Sequence, residues 1–158
     1  MKIRIDIDEV LVEFIKKFLK TYNKKYNKDF SYNDFNSYYF WEILERTKEV
    51  VIALVYEFYN LDSFKELVEF AKRSINKLKK NQELFFITSR PVRFKKKTNL
   101  FFKTHFPEDN FEIIYTGNFH NAKKTKNEVC EELGIEILIE DNFDYIIKCL
   151  EKKFRYFY

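Results

Sequence analysis

Glycine, proline and cysteine are scarce, with two of each in 158 residues. The chain accordingly has no glycine- or proline-rich linker, and no internal repeat or low-complexity stretch interrupts it. Cys130 and Cys149 form no metal-like spacing, which argues against a cysteine metal centre and for a reduced, intracellular protein. No apolar run approaches the roughly 20 residues of a membrane span. Asp6 and Asp8 interrupt the first apolar stretch, so no signal peptide is visible. A cytoplasmic location away from membranes is expected. The formal net charge is only +4, a bias toward anionic partners such as phosphorylated metabolites but too small alone to make a nucleic-acid binder.

Charged residues make up 34% and hydrophobic ones 46%, the balance of an ordinary globular chain. The length suits one domain with a modest insertion. The 19 Phe and 11 Tyr are an excess that leaves a homodimer interface open.

Residues 2–7 read as a buried strand. Val10, Leu11, Phe14, Ile15, Phe18, Leu19 and Tyr22 follow helical spacing. Residues 23–41 are polar and aromatic, with Ser31 and Asp34 spaced like a capping box. Val50 to Phe58 gives a second helical pattern, and Leu67, Val68, Ala71, Ile75 and Leu78 a third. Glu83–Thr88 is a compact apolar strand. Pro91 is placed to open a helix as its first residue, continued from Phe94 to Phe106. Phe111–Thr116 is a strand, Thr125–Leu133 a helix stopped by Gly134, and Glu136–Ile139 a strand. A helix at about 143–152 and a last strand at 154–158 complete the alternation. Strand–helix alternation at both ends predicts a doubly wound, Rossmann-like parallel sheet. The expected division is an α/β core of residues 1–13 and 76–158, with a small helical cap, 14–75, inserted after the first strand.

Asp6 and Asp8 stand at i and i+2 of the first strand and therefore share a face. Two further strands end in polar residues, at Thr88-Ser89 and Glu140-Asp141. In a parallel sheet these ends converge on one rim. Lys123, Lys124 and Lys126 precede the third. The parts match phosphoryl transfer: carboxylates for Mg²⁺, a hydroxyl and backbone N–H groups for phosphate oxygens, and a lysine for developing charge. Asp6, ionised at neutral pH, would be the nucleophile. Asp8 would protonate the leaving oxygen and then deprotonate water.

This ordered set resembles the haloacid dehalogenase-like (HAD) phosphatase superfamily. Its four motifs correspond to Asp6-Ile-Asp8-Glu-Val, Phe-Phe-Ile-Thr88, Lys126-Asn-Glu-Val-Cys-Glu-Glu-Leu-Gly and Ile-Glu140-Asp141-Asn. More narrowly the chain is similar to the 5′(3′)-deoxyribonucleotidase family and its bacterial and phage relatives. Asp6 through Leu11 with Phe14, Phe40-Trp41, and Thr88-Ser89-Arg90-Pro91 carry that likeness. The resemblance implies Mg²⁺ held by Asp6, the Asp8 backbone carbonyl and Asp141. It implies phosphate held by Thr88, Ser89 and Lys126, with Lys97 as the rival lysine, and a base and sugar pocket shaped by Phe14, Phe40 and Trp41. Relatives often continue past the position of Tyr158, so a short last strand is expected.

The implied activity is a Mg²⁺-dependent phosphatase acting through an aspartyl-phosphate on nucleoside monophosphates. Another small phosphorylated metabolite, such as a sugar phosphate, fits the same motifs. The Arg93, Lys95, Lys96, Lys97 cluster would otherwise suit a nucleic-acid-end phosphatase or nucleic-acid-binding protein, although a solvated helix face is the simpler reading. His105 and His120 show no ligand spacing, and Cys130 sits on an apolar helix face.

Overall fold

The computed structural model describes residues 1–35, 37, 39–61, 66–117, 124–143, 146–147 and 155–157. In chain order its elements are β1 (Lys2–Ile5), α1 (Phe14–Tyr26), α2 (Phe40–Ile43), α3 (Lys48–Asn60), α4 (Ala71–Leu78), β2 (Glu83–Thr88), α5 (Lys95–His105), β3 (Glu112–Tyr115), α6 (Lys126–Leu133), β4 (Ile137–Ile139) and β5 (Arg155–Phe157). Short 3₁₀ turns lie at Tyr32–Asp34 and Val92–Phe94. The five strands form one sheet in the order β3-β2-β1-β4-β5, and every pairing is parallel. The winding runs outward from β1 through β2 and β3, then starts again on the other side of β1. This is the doubly wound α/β sheet expected, and β1 stands at its switch point.

The chain divides into two compact units, Met1–Val12 with Leu67–Tyr158, and Glu13–Glu66. In the first, the strand parity of β2 sends Phe85 and Ile87 to one face and Phe86 to the other. Phe85 and Ile87 pack with Leu138 of β4 and with Val129 and Cys130 of α6. Phe86 meets Phe102 of α5 and Phe111, with ring centroids 4.7 and 5.0 Å away. α6 therefore packs on one face of β2 and α5 on the other, and both faces of that strand read as apolar. In the second unit α1 and α3 share an aromatic core. Phe14 and Phe18 both meet Phe58 edge-on, at 5.3 and 5.7 Å.

Three expected helix starts move toward the C-terminus. The helical spacing from Val10 belongs partly to a tight loop. Glu9 takes a left-handed φ of 59°, and the Ile7 carbonyl accepts from the amides of Leu11 and Val12 at 2.8 and 3.1 Å. The loop buries Leu11 and Val12, so apolar residues at helical intervals mark burial there without a helix, and α1 begins at Phe14. Leu67 and Val68 likewise precede α4. The Val68 amide is taken by the Leu11 carbonyl at 2.8 Å, and Phe70, at φ 64°, breaks the backbone before Ala71. Pro91 caps the Val92–Phe94 turn rather than opening the helix, and α5 starts at Lys95. The aromatic stretch that ends at Trp41 runs into α2, a four-residue helix that no periodicity announces.

Thr125 is the N-cap of α6. Its hydroxyl accepts from the Glu128 amide at 3.2 Å, and its own amide donates to Glu128 Oε2 at 2.7 Å. Gly134 ends the helix at φ 65°. Removing the cap with Thr125→Ala is expected to cost about 1 kcal/mol, a fall of roughly 2–4 °C in a thermal melt.

The helix at about 143–152 lies partly, and His120, Lys123 and Cys149 wholly, outside the described residues. Among the described residues no helix is long and apolar enough to cross a membrane.

Candidate active site

The C-terminal ends of β1, β2 and β4 meet where the winding reverses. Arg4 pairs with Phe85 and Leu138 in the sheet register, so these three side chains share a face. The amide of Asp6 extends the β1–β4 ladder, donating to the Ile139 carbonyl at 3.0 Å. Asp6 and Glu140, two residues beyond Arg4 and Leu138, therefore fall on that same face. It is the face covered by α6, whose first turn carries Lys126.

These four residues form a buried ionic network. Lys126 Nζ donates to Asp6 Oδ2 at 2.6 Å and lies 3.3 Å from Glu140 Oε2. The guanidinium of Arg4 pairs with the same Glu140 oxygen. Asp6 Oδ1 accepts from the Ile7 amide at 2.9 Å, and Glu140 Oε1 from the Asn142 amide at 3.2 Å. None of the four is more than 6% exposed, so their charges act through a poorly screened medium. Burial, joined by the charge of Glu140, pushes the Asp6 carboxyl above its ordinary range against the pull of Lys126 and Arg4. Burial is the largest influence on Lys126 and works to lower it, as does Arg4, but the charges of Asp6 and Glu140 together with the Asp6 hydrogen bond hold the ammonium above its usual value. Asp6, Glu140 and Asp141 bring carboxylate oxygens within 4.8 Å of one another. Such hard oxygen donors are of the kind that could hold a divalent cation such as Mg²⁺.

On the neighbouring strand end, Thr88 is buried and Ser89 half-buried. Thr88 Oγ1 accepts from the Arg90 amide at 3.1 Å. Its carbonyl accepts from the Thr116 amide and hydroxyl at 3.1 and 3.2 Å. Asp8 meets Arg90 with both oxygens, at 2.9 Å from Nε and 2.7 Å from Nη2. The structure thus brings Asp6, Lys126 and Asp141 to one cluster and Thr88, Ser89 and Asp8 to the adjoining strand ends. Of the two lysines weighed for phosphate, Lys126 is at Asp6 and Lys97 lies on the exposed side of α5. Phe14, Phe40 and Trp41 belong to the second unit. There Phe14 stacks near Phe40 at 6.3 Å, and Lys48 Nζ sits 5.2 Å from the Trp41 ring centre.

Arg4, Arg90 and Thr98 were not expected at the site. Arg4 carried a signal, since a charge inside a buried strand demands a partner and its parity matches Asp6. Glu140, expected at a strand end beside Asp141, is buried and pairs with both Arg4 and Lys126.

A family model described as 5′ nucleotidase, deoxy (Pyrimidine), cytosolic type C protein matches residues 1–148. Among solved structures, the fold is similar to a HAD-superfamily hydrolase, subfamily IA, variant 1, from Geobacter sulfurreducens. That likeness has a TM-score of 0.61 at 13% identity, covering 98% of this chain and 84% of the other. It is also similar to the HAD-hydrolase YfnB from Bacillus subtilis, described as bound to magnesium. The TM-score there is 0.50 at 17% identity, over 89% of this chain and 78% of that one. No curated protein matches the sequence.

Proposed function

The chain belongs to the 5′ nucleotidase, deoxy (Pyrimidine), cytosolic type C family, a phosphoric monoester hydrolase lineage, and from this premise we propose that it hydrolyses nucleoside monophosphates through a phosphorylated Asp6. The observation that carries the reading is the buried Asp6–Lys126 contact at the switch point of the sheet, with Asp8 two residues on. Thr88, Ser89 and Lys126 would hold the phosphate oxygens, and Lys126 would offset charge as it shifts onto Asp6. In the first half-reaction a carboxylate oxygen of Asp6 bonds to phosphorus while the ester P–O bond breaks. Asp8 donates a proton to the departing nucleoside oxygen. In the second, water gives its proton to Asp8 and its oxygen to phosphorus, and inorganic phosphate leaves with Asp6 restored.

Asp6, the Asp8 backbone carbonyl and Asp141 would hold Mg²⁺, with Glu140 behind them. Bound there, the cation would draw Asp6 and the phosphate together by screening their repulsion. Phe14, Phe40 and Trp41 are our candidates for recognition of base and sugar.

Phosphate release from a panel of nucleotides and sugar phosphates, with Mg²⁺ and with EDTA, tests the reading. Mg²⁺-dependent release confined to nucleoside monophosphates is the expected outcome. Release only from sugar phosphates would keep the chemistry and remove the nucleotidase assignment. Metal binding has its own check in a melt. Mg²⁺ at about 100 times its dissociation constant is expected to stabilise the parent by about 2.7 kcal/mol, and Asp141→Asn to lose most of that gain.

A further inference from the structure

We infer that Arg90 is a positioning residue, a buried fork that fixes the carboxylate of Asp8 in the single orientation its proton transfers need. The inference rests on the assignment of Asp8 as the acid–base group.

The two members of the pair differ in freedom. The Arg90 side chain is 1% exposed and that of Asp8 23%. Asp8 follows β1 in the loop that Glu9 turns through a left-handed φ, and a carboxylate there has several rotamers within reach. Arg90 has little choice. Its amide is tied to Thr88 Oγ1, and Nη1 donates to Thr98 Oγ1 of α5 at 3.3 Å. The remaining edge of the fork, Nε and Nη2, faces Asp8 with two parallel bonds. A planar guanidinium that is buried and tied to Thr98 through Nη1, on a backbone fixed by Thr88, is a template for a carboxylate plane. Buried and committed in this way, it is not built to travel toward an incoming phosphate. Its effect would reach the substrate through Asp8, and geometric errors of about 1 Å at such a group cost on the order of 100-fold in rate.

The test turns on the leaving group. A nucleoside alkoxide needs a proton to depart, whereas para-nitrophenolate leaves unaided. The ratio kcat/KM counts only steps up to that departure, so water attack on phosphorylated Asp6 does not enter it. Arg90→Gln is expected to lower kcat/KM about 100-fold on a nucleoside monophosphate. On para-nitrophenyl phosphate it is expected to change by less than about threefold, because the aryl ester needs little of this catalysis. Thr98→Val, which removes one support and keeps the side-chain shape, gives a smaller shift in the same direction if Arg90→Gln folds poorly. In an Asp8→Asn background Arg90→Gln should cost almost nothing further.

An equal fall on both esters, or full additivity with Asp8→Asn, overturns the positioning role while leaving the phosphatase reading intact. A parent protein that hydrolyses neither ester overturns both.

Discussion

Asp6→Asn is expected to abolish phosphate release, by on the order of 10⁴-fold or more, while leaving the fold in place. The amide has nearly the same shape as the carboxylate and can still accept from the Ile7 amide, as Asp6 Oδ1 does at 2.9 Å. It lacks the charge that makes the oxygen a nucleophile. Stability should move little, because two effects oppose. Lys126 loses its bond to a carboxylate at 2.6 Å, yet its contact with Glu140 remains. Against that, a neutral amide is cheaper to bury than the charge whose pKa burial pushes up. Phosphate release and a thermal melt on the same preparation decide the matter. A variant that melts with the parent and keeps more than about a hundredth of its activity would end the nucleophile assignment.

The second large effect is on stability. Lys126→Met keeps the length and packing of the side chain and removes its charge from a network in which Asp6 and Glu140 both lean on it. Breaking a buried pair by deleting one partner typically costs about 3–5 kcal/mol. At this chain length that corresponds to a melting temperature lower by roughly 6–20 °C. The loss should shrink when Mg²⁺ is added, since a cation held by Asp6 and Asp141, with Glu140 near it, would supply part of the missing positive charge. A melt with and without the ion reads both quantities. An unchanged melting temperature in EDTA would mean that Asp6 is not relying on Lys126.

Much of this arrangement could be read from residue order. The strand ends and the acidic residues on them follow from apolar runs cut off by Asp6, Thr88 and Glu140. Lys126 could be placed because Thr125 and Glu128 form a capping box, which locates it in a helix's first turn. What could not be read was pairing across distance. Nothing near Arg90 marks Asp8, 82 positions away, as its partner. Glu140 gives no local sign that it is buried, because that depends on α6 lying over its face of the sheet. The early helix starts failed for a related reason. Leu11 is buried and Val68 half-buried in loops, and periodicity cannot distinguish such a loop from a turn of helix.

The central place of β1 in the sheet has a consequence for how the molecule comes into being. β1 precedes the other described strands in sequence, yet its neighbours are β2 and β4. Arg4 finds Glu140 across 136 positions, and Asp6 finds Lys126 across 120. During synthesis β1 and the two aspartates that follow it leave the ribosome long before Lys126 and Glu140 have been made. Contacts so distant along the chain slow folding, because loop closure must be achieved before they form. On the proposed mechanism, a ribosome-bound intermediate ending before Lys126 is expected to carry both aspartates but no turnover.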